Sequence, residues 1–180
     1  MITVISGTNR ADSYTEKIAD QYVKMLNNVT QEKVSYFKLT DLPTDFVQSQ
    51  MYESENQHAA ITKLQNDHII ASDRLVVISP EYNGSFPGIL KFFLDACSIR
   101  DYNESFKDKK VLLVGVSSGR AGNLRGMDHL SAVFNHLGSF VFPNKLPISM
   151  CTDVVDEVGD VQDKGALGSI EDQIDAFLKW

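Results

Sequence analysis

The sequence predicts an α/β fold: a three-layer sandwich with a five-stranded parallel sheet in the order 2-1-3-4-5 and helices on both faces. Three observations carry this. Strand-like and helix-like hydrophobic periods alternate from one end of the 180 residues to the other. Two of the strands, at 75–79 and 111–116, are continuous apolar runs, the pattern of strands covered on both faces of a parallel sheet. No repeat, low-complexity tract or linker divides the chain, so one domain over residues 1–180 is expected. Right-handed crossovers leave few arrangements of such elements, and 2-1-3-4-5 is the commonest with five strands.

Taken in order, residues 2–6 are apolar and β-branched, which suits a buried strand. Ile18, Ala19, Tyr22, Val23 and Leu26 then recur at helical spacing, so a helix is expected over 13–28. Residues 33–39 read as the second strand, followed by a long polar connection over 40–57. A helix over 58–71 leads to the third strand, which ends at Pro80. Pro87 suits a first helical turn, where no backbone donor is needed, and opens a helix over 87–98. After the fourth strand a helix over 123–137 stops at Gly138, a C-cap residue. A short fifth strand at 139–142, a loop broken by Pro143 and Pro147, an extended segment at 148–151 and a last helix over 169–180 complete the chain.

The bulk composition removes several function classes. A net charge of −7 argues against nucleic acid as a main partner, because phosphate backbones need clustered cations. No apolar run approaches the roughly 20 residues that span a bilayer, and the first residues open directly into a strand rather than a signal peptide. No membrane role and a cytoplasmic location are therefore expected. Cys97 and Cys151 have no C-x-x-C spacing, so neither a disulfide framework nor a thiolate zinc site is expected. His58, His68, His129 and His136 lack metal-ligand spacing and read as helix-surface or core histidines.

In the predicted strand order the winding reverses between strands one and three, and ligands bind there, beyond the carboxyl ends of the strands. The loops after strands one, three and four converge on that point, and they are the chemically unusual stretches of the chain. The first carries Ser6, Thr8, Ser13 and Thr15 hydroxyls, one glycine and Arg10 just ahead of a helix. A helix start offers unpaired N–H groups and the positive end of aligned peptide dipoles, and a guanidinium with hydroxyl donors makes it a cradle for one phosphate monoester. Ser13 with Glu16 also reads as a capping box, which accounts for those two residues but not for Arg10. The second loop runs from Ser79 to Gly88, where Asn83-Gly84 tolerates positive φ and Tyr82 offers an aromatic surface; it suits the edge of a flat heteroaromatic ring, or a Pro-rich turn with Ser85 capping the next helix. The third, residues 117–123, brings backbone close to a ligand at two glycines. A phosphate site beside a planar pocket in this topology suggests FMN.

The three loops together resemble the NAD(P)H-dependent FMN reductase family, flavodoxin-like proteins that include quinone, azo-dye and chromate reductases. The family's first loop, G-S/T-x-R-x-x-S-x-N/T, is matched by Gly7, Thr8, Arg10, Ser13 and Thr15. Its third-strand loop, P-E-Y-N-x-S-x-P-G, is matched by Pro80, Glu81, Tyr82, Asn83, Ser85, Pro87 and Gly88, followed by Leu90-Lys91. Its fourth-strand loop, S-x-G-x-x-G-x-x-R, is matched by Ser117 or Ser118, Gly119, Gly122 and Arg125. The resemblance implies that Thr8, Arg10, Ser13, Tyr14 and Thr15 hold the phosphate. It places Pro80, Glu81, Tyr82, Asn83 and Gly84 at the isoalloxazine, and Ser117, Ser118 and Gly119 at its polar edge. It further implies NADPH or NADH as co-substrate, a quinone, azo compound, flavin or similar small-molecule acceptor, and a homodimer or homotetramer. The chain departs from the family at Phe92 and Asp95-Ala96, where an Asn and an Asp-Trp pair are common, and over 40–57.

Two other readings fit parts of the same sequence. Residues 115–119 formally match G-x-S-x-G, but a hydrolase needs an acid and then a histidine downstream, and the last histidine, His136, precedes strand five. A non-catalytic electron carrier of the same fold stays open; Arg10 favours the reductase, because flavodoxins proper use hydroxyl-rich phosphate loops without it. Hydride transfer between a nicotinamide and a flavin needs no dedicated acid or base, so no side chain is nominated as catalytic.

Overall fold

The computed structural model describes residues Met1–Trp180. Its sheet is parallel throughout, in the order β2-β1-β3-β4-β5, with β6 also paired to β4. The strands are β1 (Ile2–Ser6), β2 (Val34–Lys38), β3 (Arg74–Pro80), β4 (Lys110–Val116), β5 (Phe140–Val141) and β6 (Leu146–Ile148). The helices are α1 (Tyr14–Val29), α2 (Ala59–Leu64), α3 (Gly88–Ser98), α4 (Tyr102–Phe106), α5 (Leu124–His136), α6 (Cys151–Val154) and α7 (Lys164–Lys179).

Side chains of β3 and β4 alternate between two cores, as the period of two requires. Leu75, Val77, Val111 and Leu113 face one core with α3 and α5; Val76, Ile78, Leu112 and Val114 face the other with α1 and α7. Both cores hold fully buried leucines, isoleucines and phenylalanines, each worth about 1.5–3 kcal/mol relative to exposure. The two continuous apolar strands therefore lie where both faces are covered, as their composition requires.

The structure corrects the count of five strands. The fifth position is filled by two short strands laid end to end along β4: Phe140 and Val141 oppose Lys110 and Val111, and residues 146–148 oppose 114–116. Pro143 separates them, because it has no N–H to continue a ladder, and the chain turns there with Lys145 N–H donating to Pro143 O. Pro147 is tolerated inside β6 because that strand has a partner on one side only.

Other boundaries shift for local reasons. The helix expected over 58–71 begins at Ala59, capped by His58 Nδ1, and widens to π-helical pitch over Gln65–Ile70. There the fully buried Gln65 amide donates to the Cys97 and Arg100 carbonyls and to Ser105 Oγ. Residues expected as extended at 148–151 end in α6, and α7 starts at Lys164 rather than 169 because Asp163 caps it through the Ala166 N–H at 2.7 Å. The polar connection over 40–57 folds into 3-10 turns that bury Leu42, Phe46 and Met51. No helix is long and apolar enough to cross a membrane.

Candidate functional site

The loops after β1, β3 and β4 leave the carboxyl edge of the sheet side by side, with the reversal of winding between β1 and β3. The first opens at Gly7, whose N–H donates to Ile78 O at 2.8 Å. A Cβ at Gly7 would stand 2.8 Å from that oxygen and 3.1 Å from Leu90 Cδ2, so the loop can lie against β3 only with glycine there. Thr8 follows, buried, with its hydroxyl 3.0 Å from the Tyr82 hydroxyl and accepting the Arg10 N–H at 3.2 Å. One side chain thus ties the first loop to itself and to the loop after β3.

Ser13 is the N-cap of α1, its Oγ accepting the Glu16 N–H at 3.2 Å. The Glu16 carboxylate does not return to complete a capping box; it pairs with Lys38. The Tyr14 and Thr15 N–H groups donate to no acceptor in the protein, and they stand at the positive end of a sixteen-residue helix. The Arg10 guanidinium has no carboxylate partner. Free helix-start donors and a free guanidinium on one loop are what a phosphate dianion requires.

These groups border a cavity of about 340 Å³, within the size range of small-ligand sites. Arg10, Ser13, Tyr14 and Thr15 line it from the first loop, Pro80, Glu81 and Tyr82 from the second, and Ser117 and Ser118 from the third. Four residues named from the sequence do not line it. Thr8 lies behind the wall. Asn83 and Gly84, at φ +52° and +75°, form the tip of a tight hairpin closed by the Ser85 N–H to Tyr82 O bond of 3.1 Å and the Tyr82 N–H to Ser85 O bond of 2.8 Å. Gly119 turns its carbonyl to the Ser117 hydroxyl at 2.9 Å and to the Met150 N–H at 3.1 Å.

Three lining residues lay outside the sequence-based set: Asp12, Val116 and Cys151. Asp12 follows Arg10 by two positions and adopts a left-handed φ of +52°, a turn signal that its residue type permits. Cys151 reaches the cavity because its N–H bonds to Ser117 O at 3.0 Å, a contact that depends on β6 lying beside β4. Burial pushes its thiol pKa up, with the nearby Asp153 charge acting in the same direction. None of the histidines lines the cavity: His129 meets Ser85 Oγ at 2.9 Å, so Ser85 is no helix cap, and His68 meets Ser35 Oγ at 2.7 Å. No group of three His, Cys, Asp or Glu is placed to hold a metal ion.

Residues 1–153 match the family model described as NADPH-dependent FMN reductase. The chain belongs to that family. Among its relatives, an NAD(P)H-dependent FMN reductase of Pseudomonas aeruginosa is 33% identical over 117 residues, covering 63% of this chain and 62% of the relative. A 2-hydroxy-1,4-benzoquinone reductase of Burkholderia is 26% identical over 182 residues, covering 99% and 94%. Among solved structures, the NAD(P)H:(acceptor) oxidoreductase FerB of Paracoccus denitrificans superposes with a TM-score of 0.81 at 23% identity, covering 99% of this chain and 95% of that one, a likeness of fold. This member of the FMN reductase family is an oxidoreductase whose cofactor is FMN and whose reductant is NAD(P)H. The residues present fit that cofactor. Unpaired Tyr14 and Thr15 amides and an unpaired Arg10 suit its phosphate, and the Pro80, Tyr82 and Val116 walls suit a flat ring.

Proposed function

We propose that this chain is an NAD(P)H-dependent reductase of small, flat electron acceptors, with quinones foremost and azo compounds and free flavins as alternatives. The observation that carries the reading is the convergence of an unpaired phosphate cradle and a flat-walled cavity on one edge of the sheet. The similarity to a benzoquinone reductase over 99% of the chain supports the quinone in particular.

FMN supplies the hydride chemistry when bound, accepting hydride from a reduced nicotinamide and delivering it to an acceptor. The chain supplies the rest. Arg10 and the first-turn amides of α1 hold the phosphate. Pro80, Tyr82 and Val116 exclude water from the ring side of the cavity, and Ser117 and Ser118 present backbone groups there; the Ser118 N–H has no acceptor in the protein. The Ser117 hydroxyl is spent within its own loop, donating to Gly119 O and accepting the Gly122 N–H at 3.0 Å, so it shapes the wall rather than acting on substrate.

We extend the proposal to one domain over residues 1–180, to an assembly of two or four copies, and to the cytoplasm, where reduced nicotinamides are regenerated. Exposed Phe92 on α3 and Tyr52 in the 40–57 connection support an assembly, and light scattering reports it directly. The function is tested on the purified, FMN-loaded protein. NADPH added without acceptor bleaches the flavin absorption within seconds, and a benzoquinone then restores it. Bound flavin that ignores both NADPH and NADH would instead identify an electron carrier.

A further inference from the structure

One fully buried polar side chain beside the cavity has no part in the roles assigned above. Asn123 stands at the start of α5 with zero exposure and a left-handed φ of +61°. Its Nδ2 donates to Ser79 O at 3.0 Å and to Pro80 O at 2.9 Å, and its backbone N–H donates to Glu81 Oε2 at 3.1 Å. The Glu81 N–H in turn donates to Val116 O at 2.9 Å. The loops after β3 and β4 are therefore joined through this one residue at the points where both reach the cavity wall.

The surroundings are shaped around that amide. A Cβ on Gly126 would fall 2.0 Å from Asn123 Oδ1, and one on Gly115 would fall 3.0 Å from Asn123 Cβ. Asn123 Oδ1 is left without any hydrogen-bond partner. A left-handed residue other than glycine with an orphaned buried acceptor is unfavourable for folding, and such arrangements persist where geometry matters to function. The amide thus donates to two backbone carbonyls, the second of which also accepts from Ser79 Oγ at 3.3 Å. Pro80, whose carbonyl the amide takes up, lines the cavity.

We propose that Asn123 is a positioning residue for the flavin ring. It keeps the Ser79 and Pro80 carbonyl dipoles turned away from the cavity, so that the ring edge meets N–H donors and the negative charge gained on reduction is not opposed. The proposal rests on FMN occupying this cavity, and it concerns the balance between the oxidised and reduced forms of the cofactor rather than the anchoring of its phosphate.

Two variants test it. Asn123→Gly keeps the left-handed backbone and removes the amide. Gly126→Ala leaves the cavity untouched, favours the helix intrinsically, and displaces the amide by steric contact. Affinities for oxidised FMN, dithionite-reduced FMN and inorganic phosphate are measured by anaerobic titration of the apoprotein. Each variant should lower the preference for reduced over oxidised FMN about tenfold, equivalent to about 30 mV for a two-electron couple, with phosphate affinity unchanged. The double variant should match Asn123→Gly alone, because the contact with Gly126→Ala no longer has a partner. If Asn123→Gly does not fold, Gly126→Ala decides the matter by itself. Equal weakening of both FMN forms, a preference within twofold of wild type, or phosphate affinity falling in step would overturn the proposal. A wild-type protein that binds phosphate but neither form of FMN would overturn the cavity assignment beneath it.

Discussion

Replacing Arg10 by Ala isolates the phosphate end of the site. The loop around Arg10 is held by its backbone, through the Arg10 N–H to Thr8 Oγ1 bond of 3.2 Å and the Gly7 N–H to Ile78 O bond of 2.8 Å. Its side chain makes no ion pair. Removing the guanidinium should therefore leave the loop and its stability intact, and the whole effect should fall on binding. A charge-assisted hydrogen bond contributes about 1.5–3 kcal/mol, so the Kd for FMN should rise about 10- to 150-fold. Arg10→Lys should recover part of this, keeping the charge without the bidentate fork. The assay is quenching of FMN fluorescence at low and high salt, with riboflavin titrated in parallel. Wild-type affinity for FMN should fall with salt more steeply than that of Arg10→Ala, and riboflavin, lacking the phosphate, should bind both proteins alike. An FMN Kd within twofold of wild type, or riboflavin weakened by the same factor, refutes the placement of the phosphate at the start of α1.

Gly7→Ala forces a Cβ to 2.8 Å from Ile78 O, so thermal unfolding should show a loss of about 1–3 kcal/mol and the displaced loop should bind FMN more weakly. Tyr22→Phe removes the buried hydroxyl that donates to Gln173 Oε1. Leaving that acceptor unpaired should cost about 1–3 kcal/mol, lowering Tm by about 2–4 °C per kcal/mol, while FMN affinity stays unchanged. Burial depresses the His68 pKa below its ordinary value of 6.5. The unfolded chain then binds a proton that the folded one resists, so stability is full above pH 6.5 and declines as pH falls through that value toward the folded pKa. Urea midpoints for wild type should drop between pH 7 and pH 5.5, and His68→Gln should flatten that segment. The lowered carboxylate pKa values of Asp67 and Asp73 act at more acid pH, so a flat wild-type profile over this interval would refute the assignment.

The place where the loops after β1, β3 and β4 meet is legible because two independent rules agree on it, and the strand order of the structure is the one they require. Alternating periods and two doubly covered strands fix the strand order, the order fixes where winding reverses, and the loops bordering that point carry the arginine, hydroxyls and aromatic ring. What escaped depends on contacts between distant segments. The resemblance assigns Thr8 to the phosphate, and in the structure its hydroxyl lies 3.0 Å from the hydroxyl of Tyr82, in another loop. Val116 reads as part of an apolar strand and Cys151 as the end of an extended segment, and both are buried. Their place on the wall follows from β6 returning along β4, and no local pattern announces that return in a three-residue strand containing a proline.

Asn83-Gly84 is a case in which local chemistry specifies the backbone. Two successive residues that tolerate positive φ between Tyr82 and Ser85 specify a tight hairpin, and the structure has that hairpin. The start of α7 was likewise written locally, in Asp163 three positions before Ala166, but the glycines at 165 and 168 masked it by lowering helix propensity. Asn123 stands between these cases. The sequence placed it at a helix start, where asparagine is an ordinary cap, whereas the structure shows its side chain turned the other way, toward the Ser79 and Pro80 carbonyls. That reversal requires Gly126, because any larger residue there would occupy the space of the Asn123 amide. The pair Asn123 and Gly126 is therefore the local signal to look for: an asparagine that gives up its capping role, followed three residues later by a glycine with no helical reason to be there.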